Sequence, residues 1–138
     1  MKKLLLPLLI LTSALVSCQK EEKNCDLSAA NLVGTYKITA NSYKKDAASP
    51  LVDAYALYGA CEKDDLIIIN ANSTIVFSDA GVKCTPSGDS TGTWALSGNN
   101  VTIEDRVYTV SAFDCKAMSG SFAGGTPGEL TTITLTRQ

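Results

Sequence analysis

TGTWALSGNNVTIEDRVYTVSAF, residues 91–113, sets three short runs of β-branched and aromatic residues around two turns, and its period decides the fold. Side chains of an extended segment point alternately to opposite sides, so Trp94 and Leu96 share one face of a strand over Thr91–Ser97. Gly98-Asn99-Asn100 supplies residues that tolerate the positive φ of a tight hairpin, so Val101–Glu104 returns antiparallel and Val107–Phe113 follows. The same punctuation continues in both directions. Upstream lie Leu32–Tyr43, with Gly34, Tyr36 and Ile38 on one face, then Leu66–Asn70 and Thr74–Ser78, joined by Ala71-Asn72-Ser73. Downstream lie Met118–Phe122 and Leu130–Arg137, making eight strands of an all-β domain. The last strand alternates most cleanly, with Thr132, Thr134 and Thr136 on one side and Thr131, Ile133, Leu135 and Arg137 on the other. Its apolar side is the core side. Arg137 is thereby turned inward, where a guanidinium needs acceptors or an aromatic face.

Lys44–Asp65 lacks strand character. Ser49 can cap a short helix there with Pro50 at its first position, where the missing amide costs nothing, and Gly59 would end it. Leu51, Tyr55 and Tyr58 would line one side, which makes Tyr55 and Tyr58 candidates for lining a ligand. Such a helix either plugs the mouth of a barrel or packs on its outside. Eight strands in sequential hairpins lose their exposed edges by closing into an up-and-down antiparallel barrel, whose interior is filled by side chains or holds one small ligand. An immunoglobulin-like sandwich is the competing arrangement, but it places a buried tryptophan beside a disulfide between sheets. Here Trp94 follows Cys84 by ten residues, within a Gly-x-Trp triplet.

The chain begins with Met1-Lys2-Lys3 and the apolar run Leu4–Val16, the layout of an export signal. At thirteen residues the run is shorter than the ~20 a membrane-spanning helix needs. Leu15-Val16-Ser17-Cys18 resembles the lipobox of bacterial lipoproteins, in which the cysteine sulfur receives a diacylglycerol; a secreted protein with a chance cysteine at its cleavage site is the alternative. Two or three acyl chains hold a protein stably where one does not. Gln19-Lys20-Glu21-Glu22-Lys23 looks like the signal that carries lipoproteins of one Gram-negative group across the outer membrane. It is equally a solvated tether. The expected layout is a signal peptide over 1–17, a lipidated cysteine and flexible tether over 18–30, and a barrel over 31–138. The expected location is the outer membrane, at the cell surface, with its periplasmic face as the alternative.

Cleavage before Cys18 removes two of twelve basic side chains and leaves ten against fourteen acidic ones, a formal charge of −4. Scattered lysines and two arginines make no nucleic-acid stripe. No histidine occurs, so neither a histidine-dependent triad nor the usual neutral-pH proton shuttle is available. No enzymatic activity, metal or cofactor is expected. Asp64-Asp65 with Glu62 and Lys63 reads either as a calcium corner or as the charged entrance of a strand.

Gly34-Thr35-Tyr36 in the first strand, Gly92-Thr93-Trp94 in the middle, "CEKDDLIII" at 61–69 and Arg137 in the last strand together resemble the lipocalin-like lipoproteins of Gram-negative envelopes. The resemblance covers about Leu32–Arg137 and implies a lipocalin-like barrel that binds a small apolar or amphipathic molecule. It also implies that Tyr36 stands where lipocalins carry a floor tryptophan, and that Arg137 seals the base by stacking and by hydrogen bonds to carbonyls. Trp94 is the alternative aromatic partner. Setting Cys18 aside for lipid leaves four cysteines, an even set that allows three disulfide connectivities. Cys61 precedes one strand and Cys84 follows its hairpin partner, so they pair, and Cys25 pairs with Cys115. A non-enzymatic accessory role, binding another envelope component through loops or outer surface, is the second functional reading.

Overall fold

The computed structural model describes residues 25–138; the stretch expected to be an export signal, Cys18 and the segment 19–23 lie outside the described residues. Within the stretch read as tether, Cys25 is disulfide-bonded to Cys115, and Ser28 caps a one-turn helix, α1 (Ala29–Leu32), by accepting a hydrogen bond from Asn31 N at 3.3 Å. The strands are β1 (Gly34–Lys44), β2 (Val52–Asp53), β3 (Leu66–Ile69), β4 (Thr74–Ser78), β5 (Ser90–Ser97), β6 (Asn100–Ile103), β7 (Arg106–Phe113), β8 (Ala117–Ala123) and β9 (Leu130–Arg137).

Eight of these, β1 and β3–β9, form a closed antiparallel barrel. Each pairs with the next, and β9 returns to β1 from Tyr36↔Arg137 to Lys44↔Leu130, with a bulge between Ile38 and Ala40. Closure gives every barrel strand a neighbour on both sides, which removes the unpaired edges of an open sheet. In the β5–β6 hairpin Ser97 pairs with Asn100, and of the two loop residues only Gly98 takes positive φ, 56°. Glycine carries no Cβ penalty there.

Alternation directs Tyr36, Ile69, Ile75, Trp94, Val101 and Leu135 inward. At the end where α1 lies, Leu32, Tyr36, Ile69, Ile75 and Val101 are no more than 1 % exposed. At the other end Ile38, Phe77, Ile103 and Ile133 are only partly buried. The barrel thus has a packed floor and an open mouth.

The helix expected from Ser49 to Gly59 does not form. Val52–Asp53 is a short strand against Ser42 and Tyr43, Tyr55–Leu57 is one 3-10 turn, and Gly59 begins a helix instead, as N-cap of α2 (Ala60–Lys63). Acidic side chains impose these breaks: Asp46 Oδ1 accepts from Ser49 N at 2.8 Å, Asp53 Oδ1 from Ala56 N at 3.1 Å, and Glu62 Oε2 from Gly59 N at 2.7 Å. Each favours a local turn over a continuous helix. The connection neither plugs the mouth nor simply coats the exterior. β1 pairs with β3 only over Gly34–Tyr36, and the upper part of that edge takes β2 and the turns after it. Tyr58 Oη, which accepts from Asn41 Nδ2 at 2.8 Å, fastens the connection over this gap.

Candidate functional site

The floor is organised by Arg137. Its Nε donates to Cys115 O at 2.8 Å, one terminal nitrogen to Val33 O at 2.8 Å, and the other to Asn31 O and to Tyr36 Oη. The guanidinium carbon lies 4.9 Å from the Tyr36 ring centre, so the stacking partner is Tyr36 and not Trp94. Tyr36 Oη donates in turn to Leu32 O at 2.8 Å. Burial pushes the Tyr36 phenol up from its ordinary range, opposed by the Arg137 charge. Gly34 is required by proximity, since a Cβ there would collide with the guanidinium. Trp94, 6 % exposed, donates its Nε1 to Asn70 O at 2.9 Å. Gly92 leaves room for the Glu104 carboxylate, which accepts from Thr93 N at 2.8 Å. The Gly-x-Trp triplet therefore builds the wall and floor.

Above this floor the interior is not filled. A cavity of about 110 Å³ lies among Ile38, Ile67, Phe77, Tyr108, Val110, Met118, Gly120 and Ile133, with Val101, Ile103 and Leu135 completing its lining. Gly120 opposes Val110 and Ile133 in the two flanking strands, and its lack of a side chain contributes to the space. On one side, Ile38, Ile67 and Phe77 also border a depression of about 190 Å³ beneath the connection, lined further by Tyr58, Glu62, Asp65 and Leu66. On the other, Phe77, Ile103 and Tyr108 border an open groove that reaches Arg106 and Phe122. Phe122 packs edge-on against Tyr108 with ring centres 5.1 Å apart, and Arg106 lies 4.5 Å over its ring.

Of the two tyrosines expected to line a ligand, Tyr58 borders this space and Tyr55 does not. Tyr55 faces an outer cleft against Thr39–Ser42 with Lys63 Nζ 5.2 Å above its ring, although the two rings touch at 5.5 Å. Tyr108, Met118, Gly120 and Phe122 were not singled out in the sequence; the period-two pattern of β7 and β8 could have placed them inward.

Two disulfides frame the barrel. Cys61–Cys84 ties α2 to the β4–β5 loop beside the depression, and Cys25–Cys115 ties the entering chain to the β7–β8 turn at the floor, with Cα separations of 5.2 and 5.7 Å. The Asp64 and Asp65 carboxylates hold that β4–β5 loop by accepting from Val82 N at 2.7 Å and Ala80 N at 3.2 Å. Buried Asp79 accepts from Cys84 N at 3.2 Å. Among the described residues no group of three or more His, Cys, Asp or Glu is placed to hold a metal ion, and no helix is long and apolar enough to cross a membrane.

A family model described as a lipocalin-like domain matches residues 32–138. No curated protein and no solved structure matches the chain.

Proposed function

Because the chain belongs to the lipocalin-like domain family, we propose that it is a binding protein whose barrel takes a small apolar or amphipathic molecule through its open end. The observation that carries this reading is the apolar cavity of about 110 Å³ above the packed floor. An apolar group gains contacts on entering such a cavity; one of ~150 Å³ is known to hold benzene. Ligand pockets for drug-sized molecules are larger, ~300–1,000 Å³. The guest is therefore one ring or a short alkyl group, with any remaining part in the flanking depression or groove.

Filling the cavity tests this. A Cβ on Gly120 would meet Thr109 O at 3.4 Å, an ordinary contact, so Gly120→Ala is accommodated and Gly120→Val occupies the space. Native mass spectrometry of the protein taken from cells should find a bound small molecule in the wild type and lose it in Gly120→Val. A wild type that carries nothing and binds no member of a panel of small aromatic and alkyl compounds would overturn the proposal.

The barrel is carried on acyl chains at Cys18 in the outer membrane, at the cell surface. Support comes from the lipobox-like Leu15–Cys18 and the polar Gln19–Lys23 behind it. Protease treatment of intact cells should remove the domain, and resistance until lysis would place it on the inner face. The second reading, an accessory protein for another envelope component, draws on Leu51 and Leu57, which are 66 and 80 % exposed. Crosslinking in intact cells checks it, with a reproducible partner as the expected result.

A further inference from the structure

The depression beside the cavity carries acidic side chains alone, whereas the groove opposite sets Arg106 beside Glu104 and Asp105, and the uncompensated charge of the depression names a ligand class. Two acidic side chains, Glu62 and Asp65, line the depression, and no basic residue does. Each spends one oxygen on a backbone amide, Glu62 Oε2 on Gly59 N and Asp65 Oδ1 on Ala80 N. The other oxygen of each has no hydrogen-bond partner among the described residues. The nearby cations are engaged elsewhere: Lys63 over the outer Tyr55 ring, Lys83 on Asp79 O, Arg106 over Phe122 across the mouth. Tyr58 and Phe77 border the same space, and an aromatic ring can attract a cation to its face.

Building on the binding role proposed above, we infer that the barrel's ligand is an apolar group bearing an amine or ammonium head, the apolar part in the cavity and the head in the depression between Glu62 and Asp65. Ile38, Ile67 and Phe77 border both spaces, so one short molecule reaches across them. A fatty acid or other anionic amphiphile would set its charge against two carboxylates, and like charges repel. The barrel so described discriminates by head group, while the cavity sets only the size of the tail.

Three probes of similar shape separate the outcomes: 2-phenylethylammonium, 2-phenylethanol and 3-phenylpropionate, each titrated into the full chain and followed through the methyl resonances of Ile38, Ile67 and Met118. The ammonium compound should bind at least about tenfold more tightly than the carboxylate, with the alcohol between them, and the preference should shrink as salt is raised. Glu62→Gln with Asp65→Asn keeps acceptors for both amides and should leave the melting temperature and the alcohol's affinity unchanged while abolishing the preference. Equal binding of all three by the wild type overturns the head-group assignment and leaves the apolar site standing. Binding by none overturns both.

Discussion

Arg137 shows how much one side chain can hold together. It donates to the carbonyls of Asn31, Val33 and Cys115 and stacks on Tyr36, joining the entering helix, the first strand and the β7–β8 turn. Truncation to alanine would leave several part-buried acceptors unsatisfied, each worth ~1–3 kcal/mol. The expected loss is about 3–5 kcal/mol, read as a melting temperature lower by more than about 10 °C; an unchanged melt would remove Arg137 from this role. Arg137→Lys should rescue little, because an ammonium on a flexible stem lacks the planar fork that meets several acceptors at once. That the residue points inward was legible, since Ile133, Leu135 and Arg137 fall on one side of an alternating strand. Its choice of Tyr36 over Trp94 was not, because it depends on the close approach that Gly34 permits. Carboxylates contribute at the same scale. Asp114 accepts from Ala117 N at 2.6 Å and Lys116 N at 2.9 Å, and these bonds lower its pKa; the Ser87 hydroxyl and Asp79 N do the same for Asp89. A carboxyl lowered in the folded state stabilises above its unfolded value of ~4 and loses that contribution as pH falls through the folded one. Stability should therefore drop on acidification below about pH 4, and Asp114→Asn should flatten the drop; a pH-independent melt would contradict this.

Among the elements, the strands could be read from the chain and the connection between β1 and β3 could not. Strands advertise themselves by period two, and the eight barrel strands lie where that period places them, apart from a first strand that begins at Gly34 after α1 has claimed Leu32. The 44–65 segment has no period. Its course is set by three acidic side chains capping successive turns, a pattern that Ser49-Pro50 mimics closely enough to suggest one helix. Cys61–Cys84 adds a covalent tie to the β2 pairing and the Asn41–Tyr58 hydrogen bond that hold this segment, so the two disulfides should contribute differently. Loop-closure entropy gives about 3 kcal/mol for the separation of 23 and about 4–5 for the separation of 90. Denaturant titration of Cys61→Ser/Cys84→Ser against Cys25→Ser/Cys115→Ser checks the order. Only the first pair should also weaken binding of the ammonium probe, because only it anchors Glu62 and Asp65 around the depression.

At the scale of the molecule, closure was legible and free volume was not. Sequential hairpins lead β9 back to β1, whereas the cavity depends on how particular side chains fail to meet, with Gly120 facing where a larger residue would reach. The packed floor and thinner mouth imply a gradient of local stability. Amide hydrogen exchange should be slowest at Tyr36, Met118 and Leu135 and fastest around Phe77, Tyr108 and Phe122; uniform protection along the strands would argue against an open end. The Cys25–Cys115 bond bears on posture. It pins the incoming chain beneath the floor, beside Arg137, and the seven residues from Cys18 to Cys25 reach roughly 25 Å at most. Were Cys18 acylated as proposed, the barrel would stand like a cup on its foot, rim outward. Guests would then arrive from the surrounding fluid, and a lipid seeking entry would first have to leave its leaflet and travel around the vessel.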